Sequence, residues 1–366
     1  ERAARQRYLA TRDTQIALHS DLANFFMSAW SRVQHAKRHV NKFKIAHELM
    51  FQLEHAGRMP ELAELLSDIE IFATLEPVTL TRFEMMRCWG VLQNCGHAAT
   101  DYFLKQLRAM FSVFQKQMSF ANASHITSAE EAEAQRMTVL KSLANFFNAM
   151  GLYSTGATIL LAVLSKQKEK DAAICETDAY GHDVRTLGQM YFTSGNYKEA
   201  ETTFLQAKEV LAKTDPKKNA EHIIRINIML ANIFKKRRKF EDARQLIETA
   251  IRLCRNRVAA AEAKDRRSMD SRELMQMHRD QELLADNLND LGMLLSTMGD
   301  AKSSLKAYEE SLELTQHING PDHIDVARTL QNVAVALIAS KQLQAAEEHY
   351  NRAVQVLQKT LGDHHP

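Results

Sequence analysis

Glycine and proline are scarce in this chain, at 12 and 5 of 366 residues. A β-rich or loop-rich fold needs far more punctuation than that, and no stretch alternates polar and apolar residues between turn signals. Cysteine is scarce too: Cys88, Cys95, Cys175 and Cys254 are the four, none at Cys-x-x-Cys spacing. That excludes a disulfide framework and points to reduced thiols in a cytoplasmic setting. No apolar run approaches the roughly 18 residues of a membrane span, and no signal-like segment is present. A net charge of +2 excludes a molecule-wide field of the kind that draws nucleic acid. An apolar fraction of 45% excludes wholesale disorder.

What is present is helix-forming: Leu, Ala, Glu, Lys, Gln and Arg dominate a chain long enough for about two domains. A spaced pattern recurs along it. One copy runs Leu187, Gly188, Tyr191, Gly195, Tyr197, Ala200, Phe204, Ala207, and another runs Leu230, Ala231, Phe234, Arg238, Phe240, Ala243, Ile247, Ala250, with identical offsets. Small residues at helical spacing let two antiparallel helices cross closely, large ones fill the space beside them, and the residue at Gly195 turns the chain. Three further copies begin at Leu143, Leu291 and Val333. Each such unit buries its apolar face only against its neighbours.

This pattern resembles the tetratricopeptide repeat. The step from Leu291 to Val333 is 42 residues, against about 34 for the standard unit. The linker Asn319–Ala327 resembles the connection of kinesin-light-chain-type repeats, and Leu361–Pro366 opens another. With Glu1 in place of a starting Met, this leads to the expectation of a longer parent protein. The 61-residue step from Leu230 to Leu291 holds a charged, helix-forming insert near 255–282, expected to lengthen one or both helices there. Ala17–Phe26 and the hairpin Glu48–Asp68 resemble the helical segment after the winged helix of NACHT-type ATPases, and a NACHT module followed by such repeats is the layout of nephrocystin-3-like proteins. A further degenerate repeat is read near Cys88, Trp89, Leu92, Gly96 and Ala98. The expected fold is therefore all-α: a right-handed superhelical solenoid of antiparallel helix pairs over 126–366, about five repeats, preceded by a helical segment over 1–125.

Catalytic chemistry has no signature here. There is no Gly-x-x-x-x-Gly-Lys-[Ser/Thr] loop, Gly-x-Ser-x-Gly or His-Glu-x-x-His, so no enzymatic role and no cofactor is expected. His35 and His39 lie four apart on a helix-forming stretch, but without a Cys or acidic partner they read as a solvated basic face with Lys37, Arg38 and Lys42, not as metal ligands. Trp30, Trp89, the Phe residues and the 16 Met residues read as core filling.

Function then falls to a surface. The resemblance implies a concave wall made by the first helix of each repeat. Its stripe carries Lys141, Asn145 and Asn148; then His182, Arg185, Gln189 and Thr193; then Arg225, Asn232, Lys235 and Lys236. Asp286, Asn289, Met293 and Ser296 follow, then Arg328, Gln331, Val335 and Ile338, so a basic, amide-lined wall gives way to a neutral, apolar one. Such a wall suits proteins or extended acidic peptides, because amides bond a peptide backbone while Lys and Arg pair with carboxylates. A chaperone-tail carboxylate clamp matches at Lys141 and Asn145 and fails at Thr186 and Met229. Lys235–Lys239 is read as a turn between helices and not as an import signal or nucleic-acid patch. Two roles emerge: a protein-interaction scaffold, cytoplasmic and, by the resemblance, ciliary; or the regulatory arm of a NACHT-type ATPase. Self-association is left open.

Overall fold

The computed structural model describes residues 12–33, 42–97, 101–102, 126–264 and 269–362. His35, His39 and the closing His364-His365 lie outside them. Among the described residues every regular element is a helix, as the scarcity of turn residues requires. The chain divides into two compact units, Glu1–Val163 and Leu164–Pro366. The expected division at 125 falls beside residues 103–125, which are outside the described set.

The first unit holds α1 (Arg12–Val33), α2 (Lys42–His55), α3 (Met59–Ser67), α4 (Ile69–Leu75), α5 (Thr79–Asn94) and α6 (Ile126–Ala149), with the start of α7 (Tyr153–Lys170). Its core gathers Leu49, Leu53, Leu62, Leu66, Phe72, Trp89, Leu92, Leu143, Phe146 and Phe147, all essentially inaccessible. The Phe72 and Phe146 rings meet edge to face with centroids 5.3 Å apart, tying α4 to α6. Glu54 on α2 takes a two-pronged bond from Arg87 on α5, at 2.5 and 2.6 Å.

The second unit is four successive helix pairs: α8 (Asp178–Thr193) with α9 (Tyr197–Thr214), α10 (Ala220–Lys236) with α11 (Phe240–Glu262), α12 (Ser271–Thr297) with α13 (Ala301–Asn319), and α14 (Ile324–Ala339) with α15 (Leu343–Leu361). Each pair packs on the next through its second helix, and two of its apolar clusters run from α10 to α12 and from α13 to α15. The described helical residues of the charged insert belong to the end of α11 and the start of α12, which are 23 and 27 residues long where α8 and α10 have 16 and 17. These distal halves stay together through Val258, Met277 and Leu284, which are buried, and through Arg257 donating to Asp280. Asp270 and Glu273 cap the start of α12 reciprocally.

One turn recurs throughout. At Gly57, Gly96, Gly151, Gly195, Arg238, Gly299 and Lys341 the backbone takes a φ of +58° to +85°. At each, that residue's N–H donates to the carbonyl three residues back and the next N–H to the carbonyl five back, at 2.8–3.1 Å. These are the paired bonds of a Schellman cap, which satisfies the last carbonyls of a helix and reverses the chain. The repeat template places five of these turns, and the degenerate copy at Cys88, Trp89, Leu92, Gly96 and Ala98 places a sixth. The seventh extends it: Leu49, Met50, Leu53, Gly57, Leu62 and Leu66 stand at the offsets of Leu187, Gly188, Tyr191, Gly195, Ala200 and Phe204.

Candidate functional site

The first helices of the pairs in the second unit, α8, α10, α12 and α14, carry the stripe that the sequence singles out. α8 is capped by Thr177, whose hydroxyl accepts from the Tyr180 N–H at 3.2 Å, and its Asp178 is fastened to the start of α10 by Lys218 and Asn219, at 2.8 and 2.7 Å. Those bonds hold the Asp178 carboxyl well below the usual carboxylate range, Lys218 contributing most. The apolar side of α10, with Ile224, Leu230 and Ala231 buried, faces its own pair, which leaves Arg225 and Met229 on the outer stripe.

A recess of about 280 Å³ opens there. Arg185 and Gln189 from α8 stand on one side of it, Arg225 and Met229 from α10 form its middle, and Asp286 and Asp290 from α12 close the other side. Burial, and after it the neighbouring Arg225, pushes the Arg185 guanidinium below its ordinary range. Its Nε is buried without a hydrogen-bond partner. Arg225 is already engaged by Glu221, one turn earlier on α10, at 3.1 and 3.2 Å. On the far wall, desolvation raises both the half-buried Asp290 and Asp286, whose side chain is nonetheless 66% exposed. Arg328, 3.5 Å from Asp286, and Lys235, near Asp290, draw them back down in part.

Several expected residues sit elsewhere or are otherwise engaged. Lys236 stands over the Tyr197 ring, 5.2 Å from its centroid, at the turn edge and away from the recess, because the helix ends there. Arg237 pairs with Glu201 and Lys239 stands over Phe234, so the basic run clothes a turn, with Phe234 and Phe240 packed against the core. The Thr193 hydroxyl donates to the Gln189 carbonyl at 2.8 Å, and the Thr186 hydroxyl to that of His182 at 3.0 Å. Asn332 on α14 donates to Asn289 on α12 at 2.7 Å. Asn232 is half-buried on α10 outside the recess lining. Lys141, Asn145 and Asn148 lie on α6, in the first unit, all at least partly accessible.

The wall therefore does not turn neutral after α10. Asp290, which the stripe omitted, joins Asp286 one turn away and makes the α12 side acidic. His222 was also missed: its ring meets that of His182 edge to face, centroids 4.4 Å apart. Both were within reach of the helical period, Asp290 four residues after Asp286 and His222 three before Arg225. Toward α14 the stripe becomes apolar as expected, with Met293, Val335 and Ile338 between 43 and 48% exposed.

Burial lifts the Cys88 thiol to about 12 and the Cys254 thiol to about 11, so neither is a ready nucleophile. Among the described residues no group of three or more His, Cys, Asp or Glu could hold a metal ion, and no helix is long and apolar enough to cross a membrane.

Family models agree with the repeat reading over part of the chain. Residues 283–366 and residues 186–210 each match a tetratricopeptide repeat family, so the chain carries tetratricopeptide repeats. No curated protein sequence matches it. Among solved structures, a putative kinesin light chain from Podosopora anserina with nearly identical TPR-like repeats is 18% identical, covering 62% of this chain and 96% of its own at a TM-score of 0.46. MamA is 15% identical, covering 64% of this chain and 98% of its own at a TM-score of 0.43. The apo quorum sensor NprR from B. thuringiensis is 14% identical, covering 93% and 76% at a TM-score of 0.46.

Proposed function

We propose that this chain is a non-catalytic protein-interaction scaffold, and that the outer stripe of α8, α10, α12 and α14 holds an extended segment of a partner protein. Repeat stacks present long continuous surfaces of this kind because each unit contributes one helix to the same side. The observation that carries the reading is the recess itself. Arg185 has an idle donor there, Gln189 offers an amide beside it, and Met229 supplies an adaptable apolar floor. An acidic side chain of the partner seats against Arg185 and Arg225, its backbone bonds to Gln189, and a basic side chain further along meets Asp286 and Asp290. The partner is thus acidic where it crosses α8 and α10 and basic where it crosses α12.

Fluorescence anisotropy with extended peptides tests this. A peptide with Glu and Lys spaced to reach both walls binds the full chain, and Arg185→Glu or Arg225→Glu weakens it by about tenfold or more. If both reversals leave every affinity unchanged, the groove assignment falls. The nephrocystin-3-like layout and the ciliary address rest on the resemblance of residues 17–68 combined with the kinesin-light-chain-type repeats, and the ATPase-arm role on the former; a nucleotide-binding module in the same polypeptide tests the ATPase arm.

A further inference from the structure

Two side chains on α8 and two on α10 form a two-by-two array on the second unit. His182 and Arg185 are one turn apart on α8, and His222 and Arg225 are one turn apart on α10. The two imidazoles touch edge to face at 4.4 Å, and the two guanidinium groups line the same recess one turn further on. Nothing about packing asks for cations here. In the other repeat copies the register of His182 and Arg225 holds Thr138, Asp286 and Arg328, and that of Arg185 holds Lys141, Ile228, Asn289 and Gln331.

Gathering these four groups is unfavourable for the chain alone. Arg225 repels Arg185, and His222 is held below the ordinary imidazole range by burial, then by His182, Arg185 and Arg225, with Glu221 opposing. Glu221, on the same face, is committed to Arg225, and the Asp286 and Asp290 carboxyls stand across the recess on α12. Two polar atoms are idle: Nε of Arg185, a donor, and Nδ1 of His222, a donor once the ring is protonated, are both buried without a partner. Buried polar atoms of this kind are uncommon unless something supplies the missing bond.

We propose that His182, Arg185, His222 and Arg225 form a binding site for a phosphoryl group, carried by a phosphorylated side chain of a bound peptide or supplied as free phosphate. The Arg185 guanidinium, the donors that Glu221 leaves on Arg225 and two ring nitrogens offer more donors than the two coplanar oxygens of a carboxylate can use. A phosphoryl group presents three oxygens in a tetrahedral spread and about −1.5 to −2 of charge. Its arrival favours the protonated form of His222, which the surrounding cations disfavour in the free chain, so binding tightens as pH falls. The peptide-borne form rests on the groove reading above; the anion site does not.

The test is NMR of the full chain with carbon-13-labelled histidine, His182 and His222 being assigned by His182→Gln and His222→Gln. The probes are sulfate, inorganic phosphate, N-acetyl-phosphoserine amide and N-acetyl-glutamate amide. Both imidazoles shift saturably with the first three, and phosphoserine binds about tenfold more tightly than glutamate. Sulfate, whose charge is constant in this range, binds about threefold or more tightly at about pH 6 than at about pH 7.5. Arg185→Gln and Arg225→Gln each weaken binding about tenfold. The absence of a saturable shift, equal affinity for glutamate and phosphoserine, or no pH dependence with sulfate overturns the proposal; the last two need no variant. If the phosphoserine amide binds while all longer peptides fail, the anion site stands and the groove reading falls. If longer Glu-containing peptides bind while sulfate and phosphate fail, the groove stands and this site falls.

Discussion

The ring of Phe204 occupies the space that a β-carbon on Gly188 would need: the nearest approach, to Cδ1, would be 2.8 Å. The same relationship recurs between Gly292 and Tyr308, at 2.7 Å. Where the first member is Ala231, the residue sixteen positions on is the aliphatic Ile247, and both are buried in one cluster. Ala334 is followed at that spacing by Tyr350, whose ring stays half-exposed. Glycine with an enclosed ring, or alanine with a smaller or partly displaced side chain, are two ways of filling one volume between crossing helices.

Gly188→Ala should therefore destabilise the chain, although replacing glycine inside an exposed helix ordinarily gains about 1 kcal/mol. The ring must move, and overpacking typically costs about 1–3 kcal/mol, so a net loss of about 1 kcal/mol is expected. Adding Phe204→Leu should recover part of it. Urea unfolding of the three variants checks this, and a higher midpoint for Gly188→Ala alone would contradict the volume argument.

Lys341 and Arg238 hold the left-handed turn position that glycine fills in the other repeats, with φ of +62° and +58°. A side chain strains that conformation by about 1 kcal/mol, and glycine removes the strain while adding freedom to the unfolded chain. Lys341→Gly is expected to raise the thermal midpoint slightly, by up to about 0.5 kcal/mol in stability. Gly195→Ala, at φ +84°, should lose about 1 kcal/mol. Equal and opposite outcomes would show that these turns are not set by backbone conformation.

How much of this was legible beforehand varies with the residue. The pairing of Gly188 with Phe204, and the turns at Gly151, Gly195 and Gly299, follow from spacing because volume and φ leave little choice. The hairpin at Gly57 was legible as a hairpin, but its membership in the same template was hidden by Met50 and Leu62 at positions elsewhere taken by small residues. Arg185, Gln189 and Arg225 were placed by the stripe. Asp290 and His222 escaped it because a helical face is wider than a row of fixed offsets. Lys236 failed for the opposite reason: it is the last residue of α10, where the side chain follows the turn toward Tyr197.

Asp290 offers a test in which stability and binding move in opposite directions. Burial, with Asp286 as a further repulsion, raises its carboxyl above the ordinary 3.8. A carboxyl raised on folding penalises the folded state wherever it is ionised, so the penalty is complete above the folded value and fades as pH falls toward 3.8. Asp290→Asn should thus raise the melting temperature at neutral pH, with the gain shrinking as pH drops through the carboxylate range. The same variant should weaken a peptide whose basic residue meets α12. A pH-independent gain, or a loss at neutral pH, would remove the carboxylate from the account.

The Arg257–Asp280 pair should matter more than any exposed ion pair in the second unit. Its side chains are 20% and 7% exposed, Arg257 reaches one oxygen through Nε and Nη2 at 3.0 and 2.7 Å, and Gln276 donates to the same oxygen at 3.0 Å. Removing one partner of a buried pair leaves a charge without compensation, and about 3 kcal/mol is the expected cost of Arg257→Ala. Breaking the exposed Arg225–Glu221 pair should cost only about 0.3–0.5 kcal/mol. Because the buried pair joins the distal halves of α11 and α12, hydrogen exchange should quicken there first, with α8, α9, α14 and α15 retaining their protection. Arg257→Met with Asp280→Leu should restore most of the stability, since matched apolar side chains replace such a pair at little cost. Uniform loss of protection across the unit would mean that the insert is inseparable from the stack, and an unchanged midpoint would mean that apolar contacts alone hold it.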